Sequence, residues 1–421
     1  MKTYRVGGAV RDRLLGRPST DQDWVVVGST PMEMAAAGFI PVGRDFPVFL
    51  HPQTKEEYAL ARTERKTAPG YRGFAFHADP SVTLEEDLAR RDLTINAMAL
   101  DSDGSLIDPY GGQRDLQARV LRHVSPAFVE DPVRILRLAR LGARFDDFSV
   151  APETLALARE MVEAGEIDAL VPERVWQELA RGLLEARPSR MLVLLDACGA
   201  LARLLPELEW ALRSADRTGE SGIPDAGARL MRTLDLSATL GADLPVRFAC
   251  LAQGLHGGSA TAQRELSPVR RSSRALAALE DLCRRLRVPV ECCALAEIVA
   301  RESANVHQCE ALGAEALLDL LVRCDALRRP QRFADLLLAC ECEARASVEA
   351  GPYRPRAYLW SALQAALAVD TAVVAAQARD HGAVGPAIGS AISTARSRAL
   401  AQHLARSEGA RSADDGPATL P

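Results

Sequence analysis

The sequence contains no long hydrophobic run. None of its apolar segments reaches the roughly 18–20 residues that a membrane-spanning helix needs, and its first residues lack the apolar core and small-residue cleavage site of a signal peptide. We therefore expect a cytoplasmic protein without a membrane segment. The 421 residues are 48% hydrophobic and 25% charged, which is an ordinary globular composition, and this length suits about two to three domains.

Cysteine is missing from the first part of the chain, because all nine cysteines lie at or beyond Cys198. None forms a Cys-x-x-Cys pair, and this absence argues against a zinc site. Their helical surroundings predict buried core thiols in a reducing compartment.

The chain also lacks an excess of positive charge. Its formal net charge is -5, whereas a protein that binds nucleic acid by electrostatics alone is expected to be basic. Composition therefore disfavours such a protein, but it leaves a local basic groove open, because the positions of the charges decide.

The first part of the chain mixes strand and helix patterns. Short apolar runs bounded by Gly, Pro and Asp predict strands at 24–28, 47–50, 57–62 and 106–110. A helical pattern covers 83–100, with Thr83 as the N-cap of a capping box. From Asp131 onward apolar residues recur at helical spacing. The sequence thus predicts an α+β region followed by an all-α region.

A glycine pair precedes the first helical pattern. At a strand–helix junction, Gly7 and Gly8 expose backbone N–H groups that can hold phosphate oxygens. Arg11, one turn later, can add a bidentate phosphate contact. The motif lacks the Lys-Ser/Thr of a P-loop and the third glycine of a dinucleotide fingerprint, so a plain tight turn explains it equally well.

Two carboxylates precede the second predicted strand. If Asp21 and Asp23 lead into this strand, their spacing places both on one face. Two such oxygen ligands suit Mg²⁺ when nucleotide phosphates supply the rest. An acidic turn before a strand is the alternative, but the preceding glycine pair favours a metal site beside a triphosphate.

An arginine pair, Arg90 and Arg91, stands beside Asp92 in a mostly apolar helical pattern. The pattern indicates either a surface ion pair of little energetic value or an arginine that is held by Asp92 and contacts ribose or phosphate.

A charged stripe begins the helical region. It consists of Asp131, Arg134, Arg137 and Arg140. Residues spaced by three share one helix face, and an acceptor beside a planar donor fork can read the Watson–Crick edge of a base. The solvated face of an amphipathic helix is the alternative.

The order of these motifs resembles a known family. Gly-Gly, Asp-x-Asp, Arg-Arg-Asp-x-x-x-Asn-Ala, Asp-x-x-Gly-Gly-x-x-Asp-Leu and Glu-Asp-x-x-Arg-x-x-Arg follow one another. The first two alone specify only the DNA polymerase β-like superfamily. All five in order resemble the class II tRNA nucleotidyltransferases, the CCA-adding enzymes. The segments between the motifs resemble the bacterial multifunctional CCA proteins, over about residues 1–210.

The resemblance implies an enzyme that adds C, C and A to the 3′ end of tRNA from CTP and ATP and releases pyrophosphate. It implies Mg²⁺ held by the catalytic residues Asp21 and Asp23, with Glu57 as a further candidate carboxylate. Asp131 and Arg134 would form the template that hydrogen-bonds cytosine or adenine. The remaining nucleotide contacts are expected from Gly8, Arg11, Arg91, Arg137 and Arg140.

The resemblance also implies an order of domains, and a monomer is the default expectation. A nucleotidyltransferase head with a DNA polymerase β-like mixed sheet and helices is expected first, and an all-α neck, body and tail follow. The expected limits are 1–140 for the head, 141–215 for the RNA- and nucleotide-binding neck, 216–330 for an HD-like domain, 331–405 for the tail and 406–421 for a disordered end.

The chain departs from the multifunctional members after about residue 210. Those members carry an HD-type phosphohydrolase domain that needs a His-Asp pair to bind a divalent metal. Here Gln253 and Gly254 stand where the pair is expected, and Arg229 stands at an earlier histidine position. His256 and His307 are nearby, but a lone histidine is more often a surface or core residue than a ligand. We predict a degenerate domain without phosphohydrolase activity.

Two other functions stay open at this point. A poly(A) polymerase shares the Gly-Gly and Asp-x-Asp motifs, although such enzymes tend to carry a basic extension and this chain is acidic. A non-catalytic RNA-binding relic is suggested by the degraded HD stretch, although the proposed metal and template residues are all present.

Overall fold

The computed structural model describes residues 1–18, 22–42, 48–66, 74–208, 226–255, 268–347 and 353–414. Side chains are described at these positions except 64–66, 74–77, 268–272 and 407–414. The chain divides into two units, Met1–Glu209 and Trp210–Pro421. The finer limits expected from the sequence stay predictions, and one helix runs through the first of them, at residue 140.

A mixed sheet forms the centre of the first unit. The strands are β1 (Lys2–Val6), β2 (Asp23–Val27), β3 (Ile40–Val42), β4 (Val48–Leu50), β5 (Glu57–Leu60), β6 (Thr63–Lys66), β7 (Phe74–His77), β8 (Ala99–Leu100), β9 (Leu106–Ile107), β10 (Val120–Leu121) and β11 (Ser149–Val150). Seven of them form one sheet in the order β3-β4-β5-β2-β1-β8-β9. Only β2 and β5 pair in parallel there. β6 pairs with β7 as a hairpin, and β10 with β11 in parallel. The four strands predicted from the sequence are confirmed.

Helices alternate with the strands of this unit, and after β11 the described chain is helical. They are α1 (Gly8–Leu14), α2 (Pro31–Ala36), α3 (Leu84–Ala89), α4 (Gly112–Ala118), α5 (Val133–Arg144), α6 (Pro152–Glu163), α7 (Pro172–Leu183), α8 (Ser189–Ala197) and α9 (Ala200–Leu204). Helix α5 packs against both α7 and α8. Together with the sheet, this arrangement confirms the predicted α+β region followed by helices.

Apolar side chains pack on both faces of the sheet, because successive side chains of a strand point to opposite faces. In β2, Val25 packs with Val6 and Leu88 in one apolar cluster. Its neighbour Val26 packs on the opposite face with Met34, which lies on α2. Asp23 precedes Val25 by two residues and therefore lies on the Val25 side of the strand.

The helix predicted over 83–100 is wrong beyond its first turns. Thr83 caps α3 as predicted, because its side chain accepts a hydrogen bond from the Glu86 N–H and Glu86 bonds back. The helix then ends at Ala89, and a 3₁₀ turn at Thr94–Asn96 leads into β8. Residues 92–100 are all buried. An amphipathic surface helix would expose one face of this segment, so its even burial suits a turn and a strand.

The second unit is helical throughout the residues described. Its helices are α10 (Ala226–Thr239), α11 (Leu244–Ala252), α12 (Pro268–Leu286), α13 (Val290–His307), α14 (Ala314–Arg323), α15 (Pro330–Ser347), α16 (Arg354–Leu367), α17 (Thr371–Asp380) and α18 (Pro386–Asp414). Most of the cysteines are buried free thiols, as predicted, and Cys283 and Cys293 are half-buried. Within these residues, no single helix is long and apolar enough to cross a membrane; α16 and α17, bent by 46° at their junction, pass the test only as a pair.

The last helix extends past residue 406, where the sequence predicts the start of a disordered end. Helix α18 continues to Asp414, because the alanine and arginine residues at this end are good helix formers. Residues 415–421 lie outside the described chain.

Candidate nucleotide site

The glycine pair forms the predicted strand–turn–helix junction. Strand β1 ends at Val6, and α1 begins at Gly8. Gly7 between them has φ +73° and ψ -138°, a conformation that residues with a side chain rarely adopt. A Cβ at Gly7 would also lie 3.1 Å from Arg91 Nη1 and 3.8 Å from Asp23 Oδ2. The turn therefore brings the backbone, a guanidinium and a carboxylate within a few ångströms of one another.

Asp23 begins β2 beside this turn. It is opposite Val6 in β1 and opposite Glu57 in the parallel strand β5. Because register partners in neighbouring strands point to the same face, the Asp23 and Glu57 carboxylates lie side by side, and both line one cavity. Asp21 lies outside the described residues, so its place beside Asp23 stays a prediction.

Arg11 is oriented mainly by protein groups. Its Nε donates to Asp12 Oδ1 at 2.9 Å, and its Nη1 donates to Asn96 Oδ1 at 2.6 Å. The guanidinium also stacks over the Phe145 ring, 5.1 Å from the centroid. Arg11 is only 4% exposed, yet it lines the cavity. It joins the turn to the segment that carries Asn96, so any phosphate contact adds to a bracing role that the sequence did not predict.

The partner predicted for Arg91 is wrong. Arg91 Nη2 donates to Asp87 Oδ2 at 3.2 Å, whereas Asp92 accepts from Asn96 Nδ2 at 3.1 Å and lies 3.0 Å from Arg137 Nε. Burial opposes ionisation of Asp92, but Arg137 and the hydrogen-bond donors around the carboxylate outweigh it and lower the pKa of Asp92 to about 2.

The charged stripe lines the cavity, so the alternative of a solvated helix face is wrong. Asp131 accepts two hydrogen bonds from Arg174, at 3.2 and 2.7 Å. Arg134 is 5% exposed, and it donates to the carbonyls of Ala127 at 2.6 Å and Arg90 at 2.5 Å. The two predicted template side chains thus enter one cavity with their orientation already set by protein partners.

Helix α7 supplies functional residues that sequence reasoning missed. Its Arg174 holds Asp131, as described above, and its Glu178 accepts from Arg140 Nε at 2.7 Å. The two residues are one turn apart on an amphipathic helix, so they share a face. That spacing was the available signal, but it does not indicate which residues of α5 they meet.

The cavity gathers the described site residues into about 810 Å³, within the range of small-molecule pockets. Of the site residues that the resemblance implies, those that line it are Gly8, Arg11, Asp23, Glu57, Arg91, Asp131, Arg134, Arg137 and Arg140. Among the described residues, ten arginines and five carboxylates contribute to the wall. The local excess of positive charge suits an anionic ligand, although the whole chain is acidic.

In the HD-like stretch of the second unit, the described candidate residues contact protein partners. Gln253 follows α11, and its Nε2 donates to the Ala339 carbonyl at 3.4 Å. His307 contacts the Tyr353 hydroxyl at 2.8 Å and Glu343 at 3.3 Å. His256 lies outside the described residues. In the part of the chain that the structure describes, no group of three or more His, Cys, Asp or Glu residues is arranged to hold a metal ion.

Comparison with known proteins gives matches over most of the chain. The family described as "Poly A polymerase head domain" matches residues 3–122, and the one described as "Probable RNA and SrmB- binding site of polymerase A" matches residues 147–212. The multifunctional CCA protein of Paracidovorax citrulli is 60% identical over 92% of this chain and 94% of its own. That of Verminephrobacter eiseniae is 59% identical over 96% of this chain and 100% of its own.

Solved structures show the same fold at lower identity. The Bacillus stearothermophilus CCA-adding enzyme in complex with CTP is 24% identical, with a TM-score of 0.63 over 98% of this chain and 94% of that one. The Thermotoga maritima CCA-adding enzyme complexed with tRNA is 22% identical, with a TM-score of 0.52 over 88% and 79% of the two chains.

Proposed function

The chain belongs to the family of multifunctional CCA proteins, and we propose that the arginine-lined cavity of its first unit is where CTP and ATP are bound for CCA addition to tRNA. The enzyme is a tRNA nucleotidyltransferase. The observation that carries the proposal is the convergence of the glycine turn, Asp23 and the charged stripe on one cavity. The poly(A) polymerase alternative is not favoured, because relatives about 60% identical over most of their length are CCA proteins.

The reaction joins the 3′-hydroxyl oxygen of tRNA to the α-phosphorus of the nucleotide, and the bond from that phosphorus to the bridging oxygen breaks, so that pyrophosphate leaves. Gly8, Arg11 and Arg91 beside the glycine turn bind and orient the triphosphate. Arg137 and Arg140 on α5 add positive charge to the same cavity wall. Positioning and electrostatic stabilisation of the phosphates account for most of such catalysis.

The carboxylates of the cavity fit a divalent cation, and nucleotidyltransferases of this family generally use one. Asp23 and Glu57 lie side by side on neighbouring strands, and carboxylate oxygens are the ligands that Mg²⁺ prefers. We assign Mg²⁺ to Asp21 and Asp23, with Glu57 adjacent. When bound, the ion lowers the pKa of the attacking hydroxyl and offsets charge on the phosphates.

Base choice is assigned to Asp131 and Arg134. Cytosine and adenine both present an exocyclic amino donor, whereas uracil and guanine present a carbonyl acceptor at the same edge. A carboxylate that accepts from the amino group therefore favours the first two bases. A base that leaves a buried template group unpaired loses about 1–3 kcal/mol per group.

The helical part of the chain is assigned to tRNA, which is held by shape and backbone contacts as duplex RNA usually is. The region matched to an RNA-binding family begins at residue 147. We further propose that the enzyme works as a monomer in the cytoplasm.

Addition to shortened tRNAs tests the proposed function. With tRNA that lacks all three terminal residues, CTP alone should give two additions, and CTP with ATP should give three. With tRNA that lacks only the last residue, ATP alone should suffice. Gel separation of labelled tRNA reads the products. Repeated ATP addition without any use of CTP would identify a poly(A) polymerase, and tRNA binding without addition would identify a non-catalytic relic.

The second unit is expected to be inactive as a phosphohydrolase. Gln253 and Gly254 stand where the resemblance places the His-Asp pair, and neither residue supplies the imidazole or carboxylate that such a metal site needs. Purified enzyme should release no phosphate from 2′,3′-cyclic nucleotides in the presence of Mg²⁺, Mn²⁺, Ni²⁺ or Co²⁺. A Gln253→His, Gly254→Asp double variant restores the His-Asp pair and so tests whether the other metal ligands of such a site remain in the chain. Hydrolysis by the unmodified protein, absent from a blank purification, would disprove the prediction.

A further inference from the structure

Asp87 is a buried carboxylate that the sequence motifs did not single out. It lies in α3 and is 0% exposed. A carboxylate taken out of water needs compensating partners, since an unpaired buried charge is strongly destabilising. The partners of Asp87 are therefore informative about what this residue does.

Among the described residues, the hydrogen-bond partners of the Asp87 carboxylate belong to arginines of the cavity wall. Its Oδ1 accepts from Arg90 Nη2 at 2.6 Å, from Arg90 Nε at 3.1 Å and from the backbone N–H of Arg62 at 3.3 Å. Its Oδ2 accepts from Arg91 Nη2 at 3.2 Å. Arg62, Arg90 and Arg91 all line the cavity, whereas Asp87 itself does not touch it. One buried carboxylate thus contacts three residues that line the cavity.

The first of these connections leads to the glycine turn. The Arg91 guanidinium is held by Asp87 on one side, and its Nη1 occupies the space beside Gly7, 3.1 Å from where a Cβ would stand. A side chain at residue 7 would crowd the guanidinium, so glycine leaves the space that Arg91 uses. Gly7 therefore permits the position of Arg91 beside the turn, and the ion pair with Asp87 holds Arg91 there.

The second connection leads to the template. The Arg90 side chain is clamped between Asp87 and the Arg62 carbonyl, which accepts from Arg90 Nε at 2.9 Å. The Arg90 carbonyl in turn accepts from Arg134 Nη2 at 2.5 Å. Because Arg134 is assigned to reading the base, the clamp on Arg90 also sets where the base-reading guanidinium stands.

The charge of Asp87 is maintained by the same arginines. Burial favours the neutral acid, but Arg90 and Arg91 outweigh that effect and hold the pKa of Asp87 below its usual value. The carboxylate is therefore ionised at neutral pH, and its hydrogen bonds to the two guanidiniums are charge-assisted on both sides.

We propose that Asp87 is a positioning residue for both nucleotide binding and base choice, because it holds Arg91 over the glycine turn and, through Arg90, holds Arg134 at the template. The proposal rests on the assignment of the cavity as the nucleotide site. It predicts that neutralising Asp87, which does not line the cavity, changes both the KM for the nucleotide and the preference for CTP over UTP.

Asp87→Asn is the test, since the amide has the same shape and retains one acceptor. The KM for CTP and for ATP is expected to rise about tenfold to a hundredfold, as for a lost charge-assisted hydrogen bond. The preference for CTP over UTP, taken as the ratio of kcat/KM, should fall by about tenfold. The KM for tRNA and the fraction of active enzyme should change little.

Asp115→Asn is the matched control. Asp115 is 2% exposed and accepts from the Thr94 hydroxyl at 2.8 Å and from Arg122 Nε at 3.1 Å, but it does not line the cavity. Its replacement should lower the midpoint of thermal unfolding without changing the nucleotide KM or the preference for CTP over UTP. A purely structural role of Asp87 would make the two variants behave alike, and that result would overturn the proposal.

Two further variants separate the possible failures. Arg91→Gln should raise the nucleotide KM by a similar factor, and adding Asp87→Asn to it should raise the KM by much less than in the unmodified enzyme, since the two residues act as one unit. If Asp87→Asn does not fold, an unchanged KM in Arg91→Gln alone overturns the proposal. An inactive Asp23→Asn beside an unaffected Asp87→Asn rejects the proposal but retains the site, whereas full activity of Asp23→Asn rejects the site itself.

Discussion

Replacement of Asp23 by asparagine is expected to reduce nucleotide addition by about a thousandfold or more, with both CTP and ATP. The carboxylate stands at the start of β2, beside Glu57 and near the glycine turn. An amide in its place supplies no charge to a divalent ion. Because the ion is assigned to phosphoryl transfer and not to recognition of the nucleobase, the loss of activity should be the same for addition of C and of A.

The same change should leave the folded protein nearly intact. Asp23 is exposed and asparagine has the same shape, so we expect the free energy of unfolding to change by about 1 kcal/mol or less. Single-turnover addition to tRNA measures the chemical step, and filter binding measures tRNA affinity, which should be unchanged. Asp103→Asn, in an exposed turn of the same unit, is the control and should be fully active. Substantial nucleotide addition by the Asp23→Asn variant would show that Asp23 takes no part in the chemical step.

Much of the fold could be predicted because local signals agreed with tertiary packing. The helices around Arg134 and Val175 follow from apolar periodicity alone, and the α3 start follows from the Thr83–Glu86 capping box. The interpretation of 83–100 as one helix failed because periodicity cannot show that a segment is buried on all sides. From residue 92 to residue 100 the chain is buried at every position, so its apolar residues carry no information about a preferred face.

The site was predicted at the level of residues but not at the level of partners. Arg91 has an aspartate one residue after it and another four residues before it, and the sequence motif drew attention to the former, Asp92. The structure pairs Arg91 with Asp87 instead, as the usual spacing of ion pairs on a helix would suggest. The contact between Asp131 and Arg174 joins residues far apart in the chain. No local pattern encodes such a pairing, because it depends on how two helices pack.

Replacement of Asp131 by asparagine is expected to exchange the preference of the enzyme among bases. The carboxylate can only accept a hydrogen bond, whereas an amide can also donate one. The donated hydrogen bond fits the O4 of uracil, and the lost charge weakens acceptance from the amino group of cytosine. The ratio of kcat/KM for CTP to that for UTP should fall by about tenfold to a hundredfold, as for one exchanged hydrogen bond in a buried site.

The contact with Arg174 has to be separated from this effect, because Asp131→Asn also removes the charge that Arg174 pairs with. Arg174→Gln is the matched variant, since it releases Asp131 but leaves the acceptor in place. It should lower the efficiency with CTP and ATP alike and still exclude UTP, because a loosely held carboxylate has no donor for a uracil carbonyl. Equal use of UTP by both variants would mean that rigidity of the cavity, and not the hydrogen-bonding character of residue 131, selects the base.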